Sequence, residues 1–313
     1  MGRELCRQLA AAGASNIAMC DVSEENMAQT RALCLAEPGA KARVTTHLCD
    51  VSVERQVVDF RDQVVVKHEV DYVDLLFNNA GIGGGGSFVS DDREEWDKTF
   101  DVCWGGVYHC SRAFLPLLMR STEAHLCNTS SVNGFWASLG PQSAHTAYSA
   151  AKFAVKGFSE ALINDFKLNA PHIKVSVVMP GHIGTSIVIN SGKILGRDPK
   201  EMSDAQLEDA KARIVRAGFP IAGATNDQIR QALIMMGEGF RDLAPMTAAE
   251  AARVILDGVR AEKWRILVGK DAAVMDRLVR EAPEDAYSQS FMDRLQREAQ
   301  FNLGQPGMNP PQS

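Results

Sequence analysis

The sequence predicts an α/β fold, a doubly wound parallel sheet with a helical insertion before its last strand. Three observations carry this. Short apolar runs of strand length alternate with longer amphipathic stretches, and a repeating β–α order places helices on both faces of a parallel sheet. The apolar runs are nearly continuous, as they are in strands covered on both faces. The stretch 186–245 breaks the rhythm and carries helix-start signatures instead.

In chain order, a helical pattern at Arg3–Ala12 comes first. Strand runs come next at Asn16–Cys20 and Arg43–Cys49, with a helix over Glu24–Ala36 between them. Val53–Lys67 is helical and leads to a strand at Val73–Phe77. Arg93–Met119 reads as one long helix before a strand at His125–Asn128. Thr146–Leu168 is a helix and Lys174–Met179 a strand; Ala248–Ala261 and Arg265–Val268 form the last helix–strand pair. Ser203-Asp-Ala-Gln206, Thr225-Asn-Asp-Gln228 and Thr247-Ala-Ala-Glu250 each read as a capping box. There a hydroxyl meets a free backbone N–H and a side chain three residues on reaches back. The insertion reads either as a lid over a ligand cleft or as a packed, inert element. Residues 1–303 are expected to form a single domain, and the Gly-, Pro-, Gln- and Asn-rich end, 304–313, to be disordered.

The 313 residues suit one large α/β domain, and the 45 % apolar fraction allows a sizeable core. A net charge of −6 gives no reason to expect nucleic acid or an anionic membrane as partner. None of the seven cysteines sits in a C-x-x-C pair or at zinc-ligand spacing from a histidine, so no metal is expected. Their odd number and the lack of a secretory pattern point to a reducing, cytoplasmic compartment. No apolar run reaches the ~18 residues of a membrane span. The first residues read as a helix already under way and not as a targeting segment.

The chemistry centres on Tyr148-Ser-Ala-Ala-Lys152. An i, i+4 pair shares one helix face. A phenol titrates near pH ~10 and a neighbouring ammonium lowers that value, so the tyrosine can pass a proton at neutral pH. Taken alone, the pair could equally be an accidental aromatic and lysine on a helix. Ser130 and Ser131 end an apolar strand run, at the edge where open α/β sheets bind ligands. Asp21 ends the first strand run, where a carboxylate accepts hydrogen bonds from a ribose 2′-hydroxyl and repels a 2′-phosphate. Its alternative reading is a helix cap.

Together, Asn78-Asn-Ala-Gly81, Ser131, Tyr148-x-x-x-Lys152 and Pro180-Gly181-x-x-x-Thr185 resemble the motif set of the short-chain dehydrogenase/reductase family. Trp96-Asp-Lys-Thr-Phe-Asp-Val102 resembles the family's following helix, and the likeness covers about Gly2 to Gly269. The resemblance implies a Rossmann-like, NAD-dependent oxidoreductase that interconverts secondary alcohols and ketones, with NADP the less favoured cofactor. It implies catalytic roles for Ser131, Tyr148 and Lys152: substrate hydrogen bond, general acid/base, and ribose contact with phenol activation. It implies cofactor contacts from Asp21, Asp50, Val51, Asn79, Ala80, Gly81, Tyr148, Lys152, Pro180, Gly181, Ile183 and Thr185. Asp50 would meet the adenine, though an aspartate there could be only a turn residue. Family members pair through two long helices, here Trp104–Met119 and Thr146–Leu168, so a homodimer or homotetramer is expected. Apolar residues of the insertion, among them Ile214, Ile221, Leu233, Ile234, Met235 and Met236, suggest a medium-sized hydrophobic substrate, or they pack the insertion's own helices.

Three features depart from the family pattern. Gly2 resembles the last glycine of the family's glycine-rich turn, so the preceding strand and turn, about 15 residues, are expected upstream of a fragment or a misassigned start. Without them a sheet centre and a phosphate-binding helix terminus are lacking. Cys103 stands where the family carries an asparagine that anchors a relay water; it reads as a poorer anchor or as a small buried apolar residue. Ser131 lies 17 residues before Tyr148, a longer interval than usual, with a lengthened loop at Trp136–His145. Gly81-Ile-Gly83-Gly-Gly-Gly86 matches G-x-G-x-x-G but comes after the wrong strand, and is expected to be a flexible loop beside the substrate. His145 and His182 could line the cleft or be structural, and Phe135 and Trp136 could line a pocket or pack the core. A non-catalytic binding or oligomerisation domain of the same family is the alternative function. A nucleotide-sugar epimerase or dehydratase fits less well, because such enzymes carry a larger carboxyl-terminal domain.

Overall fold

The computed structural model describes residues 1–140, 143–216 and 218–299. The chain begins with α1 (Gly2–Ala11), β1 (Asn16–Asp21), α2 (Glu24–Ala36), β2 (Arg43–Leu48) and α3 (Glu54–His68). It continues through β3 (Leu75–Asn78), α4 (Arg93–Phe100), α5 (Gly106–Leu118), β4 (Ala124–Thr129), α6 (Thr146–Asn169) and β5 (Ile173–Pro180). The short β6 (Ile183–Gly184) precedes α7 (Ile187–Ile194), α8 (Asp204–Arg216) and α9 (Asn226–Asp242). Then come β7 (Met246–Thr247), α10 (Ala248–Arg260), β8 (Arg265–Val268), α11 (Lys270–Glu281) and α12 (Gln289–Ala299).

All strand pairs are parallel, and helices cover the strands, as expected of a doubly wound fold. The strands form two principal ladders, β2-β1 and β3-β4-β5-β8, and a two-residue pair, β6-β7. Packing, not hydrogen bonding, joins the two ladders among the described residues. Ala18 and Cys20 of β1 and Leu76 of β3 meet one cluster with Val57, Phe60 and Phe114. On the other side Leu5 of α1 packs with Cys127, Val178 and Ile255, next to Phe77. All six residues of β4 are buried, which makes it the rigid centre from which the site is built.

Two expectations need correction. Arg93–Met119 is not one regular helix: Asp101–Gly105 is a π-helical turn between α4 and α5. A π turn absorbs an extra residue and rotates the helix beyond it. Here it turns Cys103 inward, with Sγ 3.1 Å from the Ile82 carbonyl. Beyond β8, the last strand as expected, the chain adds α11 and α12. In α11, Ala272, Met275 and Leu278 are buried at spacings of three and bury Trp136 together with Phe291, Met292 and Leu295 of α12. The Trp136 indole donates to the Ala286 carbonyl at 2.7 Å. Trp136 therefore packs the core. β3 starts two residues later than Val73 because the Val73 amide turns to the Leu117 carbonyl at the end of α5, 3.3 Å away.

The 186–245 stretch is helical, as expected. The boxes at Thr225 and Thr247 close in both directions, and Ser203 and Gln206 exchange the same two bonds. Leu207, Ile229, Met202 and Ala210 form a private core with Ile221 and Leu233, so part of the insertion's apolar set packs its own helices. Met235 and Met236 stay exposed. The end 304–313, expected to be disordered, lies outside the described residues.

Candidate active site

β4 delivers Thr129, Ser130 and Ser131 to the carboxyl edge of the larger ladder. The chain then turns through a 3-10 turn, Val132–Gly134, whose first free amide reaches back to Ser131 Oγ (3.2 Å). Gly134 lets α6 press against this turn. A Cβ there would stand 2.2 Å from Ser130 Oγ and 2.8 Å from the Lys152 carbonyl oxygen. The Ser130 hydroxyl donates to that same carbonyl at 2.8 Å, fixing α6 to the end of β4.

The three catalytic candidates meet here. Lys152 is buried, its Nζ donating to the Thr129 carbonyl at 2.9 Å and lying 5.3 Å from the centre of the Tyr148 ring. The Ser131 hydroxyl is near enough to the phenol to favour its ionised form. The Lys152 charge does favour the phenolate, in the direction expected, but it is not the largest influence. Burial pushes Tyr148 up, and the Lys152 charge and the Ser131 hydroxyl offset this only in part. The site therefore holds the phenol protonated, with a cation beside it that favours the charge left when the proton goes. Burial also holds the His145 imidazole neutral, down to about 4, with its ring 4.7 Å from that of Tyr148. Cys103 is fully buried beside this cluster, as its small-residue reading expects.

The expected cofactor residues line the strand ends. Asp21 is exposed at the end of β1, its Oδ1 accepting from the Ser23 amide at 2.9 Å. Ser23, not Asp21, caps α2 by accepting from the Asn26 amide. Asp50 is more committed than expected. Its Oδ2 pairs with Lys98 Nζ at 2.6 Å and its Oδ1 accepts from the Ser52 hydroxyl and amide. Burial opposes the charge, but these bonds prevail and hold the carboxyl below its ordinary range. The turn reading of Asp50 fits this geometry better than a side chain waiting for adenine. Val51 is buried against Gly106, where a Cβ would come within 2.6 Å of its side chain.

Asn79, Ala80 and Gly81 leave β3 toward the same edge. Asn79 Oδ1 is buried without a partner among the described residues, and Gly2 approaches so closely that a Cβ would sit 2.8 Å from Asn79 Nδ2. A Cβ on Gly81 would lie 3.5 Å from Lys152 Nζ. At β5, Pro180 and Gly181 turn the chain. Gly181 donates to the Val268 carbonyl at 2.9 Å, Ile183 is buried in β6, and Thr185 is half-buried. Asp271, which no sequence motif marks, holds this turn: it is buried, accepts from the His182 amide at 2.7 Å, and fills the space a Gly181 side chain would need. His182 is structural, its ring bonded to the Phe240 carbonyl at 2.8 Å. An orphaned amide oxygen, side-chain-free approach positions and an exposed carboxylate fit an extended dinucleotide along this edge. Asp21 would hold its ribose, Asn79 its adenosine half, and Lys152, Ile183 and Thr185 its nicotinamide half.

The Gly81–Gly86 stretch, expected to be a loop beside the substrate, is tied to its surroundings at two points. Its amides at Gly83 and Gly85 donate to Ser191 Oγ and Glu95 Oε1, both at 2.8 Å.

The profile of the family described as short chain dehydrogenase matches residues 1–194. SadH of Mycobacterium tuberculosis, described as an oxidoreductase, is 30 % identical over 280 residues, covering 90 % of this chain and 86 % of that protein. The epidermal retinol dehydrogenase 2 of Mus musculus is 35 % identical over 188 residues, 60 % of this chain and 58 % of its own. Among solved structures, a short-chain dehydrogenase/reductase from Burkholderia phymatum in complex with NAD has a TM-score of 0.68 at 25 % identity, covering 97 % of this chain and 92 % of the other.

Proposed function

The chain belongs to the short-chain dehydrogenase/reductase family of oxidoreductases, and from that premise we propose that it moves a hydride between NAD(H) and a secondary alcohol or ketone, with Tyr148 as general acid and base. The observation that carries the reading is the phenol kept protonated by burial beside the Lys152 ammonium and the Ser131 hydroxyl.

The dinucleotide, when bound, supplies or takes the hydride. In the reducing direction, Ser131 hydrogen-bonds the ketone oxygen and holds it against the Tyr148 hydroxyl. Tyr148 gives its proton to that oxygen as negative charge develops there. Lys152 stabilises the resulting phenolate, so the transfer costs less than burial alone would impose. In the oxidising direction the same groups run in reverse. Asp21 favours NAD over NADP, because its carboxylate accepts from a 2′-hydroxyl and repels a 2′-phosphate.

The substrate is medium-sized and hydrophobic, taken under the 186–245 insertion as a lid. Exposed Met235 and Met236 supply unpartnered apolar surface there, and one relative is named for retinol, an apolar alcohol. The protein works as a homodimer or homotetramer paired through α5 and α6. Trp104, Tyr108 and Phe158 form an aromatic cluster between these helices, with Tyr108 and the nearby Phe153 exposed. A cytoplasmic location accords with seven free cysteines. No helix among the described residues is long and apolar enough to cross a membrane.

One observation favours the non-catalytic alternative: the Asp50 carboxylate is already occupied by Lys98 and Ser52. Tyr148→Phe decides between the two. With a panel of hydrophobic ketones and NADH, turnover should fall by at least about 100-fold, the usual worth of a positioned acid, while NADH affinity holds. Turnover undiminished in this variant, or absent from the parent chain under every condition, contradicts the catalytic reading.

A further inference from the structure

The helix that carries Tyr148 has no side-chain cap at its start. Its first amides would be unsatisfied without another source of acceptors. The Gly83–Gly86 loop supplies them: Thr146 N donates to Gly86 O and Ala147 N to Gly85 O, both at 3.0 Å. The Thr146 hydroxyl lies within 3.2 Å of the same two carbonyls. Tyr148 is the next residue, so the place of the phenol is set by where this loop lies.

The loop is itself held from two directions. Gly85 N donates to Glu95 Oε1 of α4 at 2.8 Å, and Gly83 N to Ser191 Oγ of α7 at 2.8 Å. Glu95 Oε1 also accepts from Arg197 Nη2 at 2.7 Å, with only 13 % of the Glu95 side chain accessible. Gly196, at φ +68°, turns the chain at the end of α7 so that Arg197 comes to this point. The loop has no room for larger residues. A Cβ on Gly84 would stand 2.7 Å from Leu195 Cδ1 and from Thr99 Oγ1, and one on Gly85, at φ +58°, 2.5 Å from Ala147 Cβ. One carboxylate oxygen thus receives both the loop that caps α6 and an arginine of the 186–245 insertion.

We propose that Glu95 is a positioning residue for Tyr148, and that its ion pair with Arg197 makes the placement of the phenol depend on the docking of the 186–245 insertion. This rests on the reading of Tyr148 as proton donor. An insertion seated over substrate holds Arg197 on Glu95, Glu95 holds Gly85, and the loop carbonyls hold the first turn of α6. With the insertion lifted, that turn loses part of its support and the phenol its alignment with Ser131.

The test uses the full chain and the variants Glu95→Gln, Glu95→Ala, Arg197→Met and Tyr148→Phe. Glutamine keeps an acceptor for Gly85 N and gives up the charge; alanine gives up both; Arg197→Met cuts the ion pair to the insertion and leaves the Gly83–Ser191 bond in place. Amide exchange at Thr146 and Ala147 should quicken about tenfold in Arg197→Met and Glu95→Gln, and further in Glu95→Ala, as expected for loss of hydrogen bonds of ordinary worth. The rate constant kcat for ketone reduction should fall in the same order and its pH profile should shift, with NADH affinity within about twofold. Unchanged exchange in both Arg197→Met and Glu95→Ala overturns the coupling. Quickened exchange with kcat and its pH profile unmoved overturns it too. Tyr148→Phe separates the two ideas: turnover surviving in it defeats the proton-donor reading, whatever the exchange rates show. Arg197→Met, at a partly exposed side chain, keeps the test decisive if Glu95→Ala does not fold.

Discussion

At Tyr148, desolvation and a nearby cation act in opposition, and desolvation prevails. The residues involved were legible in the sequence because Tyr148 and Lys152 are one turn apart on α6 and Ser131 closely follows the end of β4. The sign of the balance was not, because it depends on burial by residues far along the chain. Asp50 shows the same limit: its partner Lys98 lies 48 positions away and no local pattern announces the pair. Asp271 gave no signal at all, since a buried acid early in a helix looks like any helix-start carboxylate. On the proposed reading, cofactor choice turns on Asp21. Asp21→Ala should lower the preference for NADH over NADPH by about tenfold or more, the worth of hydrogen bonds to a charged group. Equal preference in parent and variant, by fluorescence titration, would remove Asp21 as the selector.

The packing of α6 depends on a single small residue. Gly134→Ala places a methyl against Ser130 Oγ and the Lys152 carbonyl. Overpacking of this kind costs about 1–3 kcal/mol. Chemical denaturation should show that loss, and activity should fall more than stability because Lys152 moves with its helix. A variant as stable and as active as the parent would refute the close approach. Capping boxes were legible because their chemistry is local: Thr247→Ala should cost ~1 kcal/mol, read as a lowered denaturation midpoint. The π turn at Asp101–Gly105 was not legible, because its residues continue the helical pattern of α4 and α5 without interruption. The helix α11 carried a readable three-residue spacing of buried positions, but it and α12 lie past the stretch covered by the family motifs.

Across the whole molecule, the β–α alternation disclosed a parallel sheet because every crossover requires a helix. Pairing order was beyond it, since hydrogen-bond partners are set by tertiary packing. Buried histidines give the molecule its pH response. Burial holds His47, His68 and His125 below their ordinary value, His125 at about 4 with its Nε2 on Ser176 Oγ. Each is neutral in the fold and free to protonate in the unfolded chain. Their contribution is therefore complete above pH ~6.5 and is lost as pH falls through each folded-state value, about 4 for His125. For His125 the loss is on the order of 3 kcal/mol. Melting curves from pH 7 to 4 should decline, and His125→Gln should flatten the decline; a flat parent curve would contradict it. NAD-dependent chemistry at this site stands or falls on a titration of the protein with NADH and with NADPH, read by nicotinamide fluorescence. Saturable binding of NADH, tighter than that of NADPH, is expected. Saturation by neither cofactor would contradict the assignment.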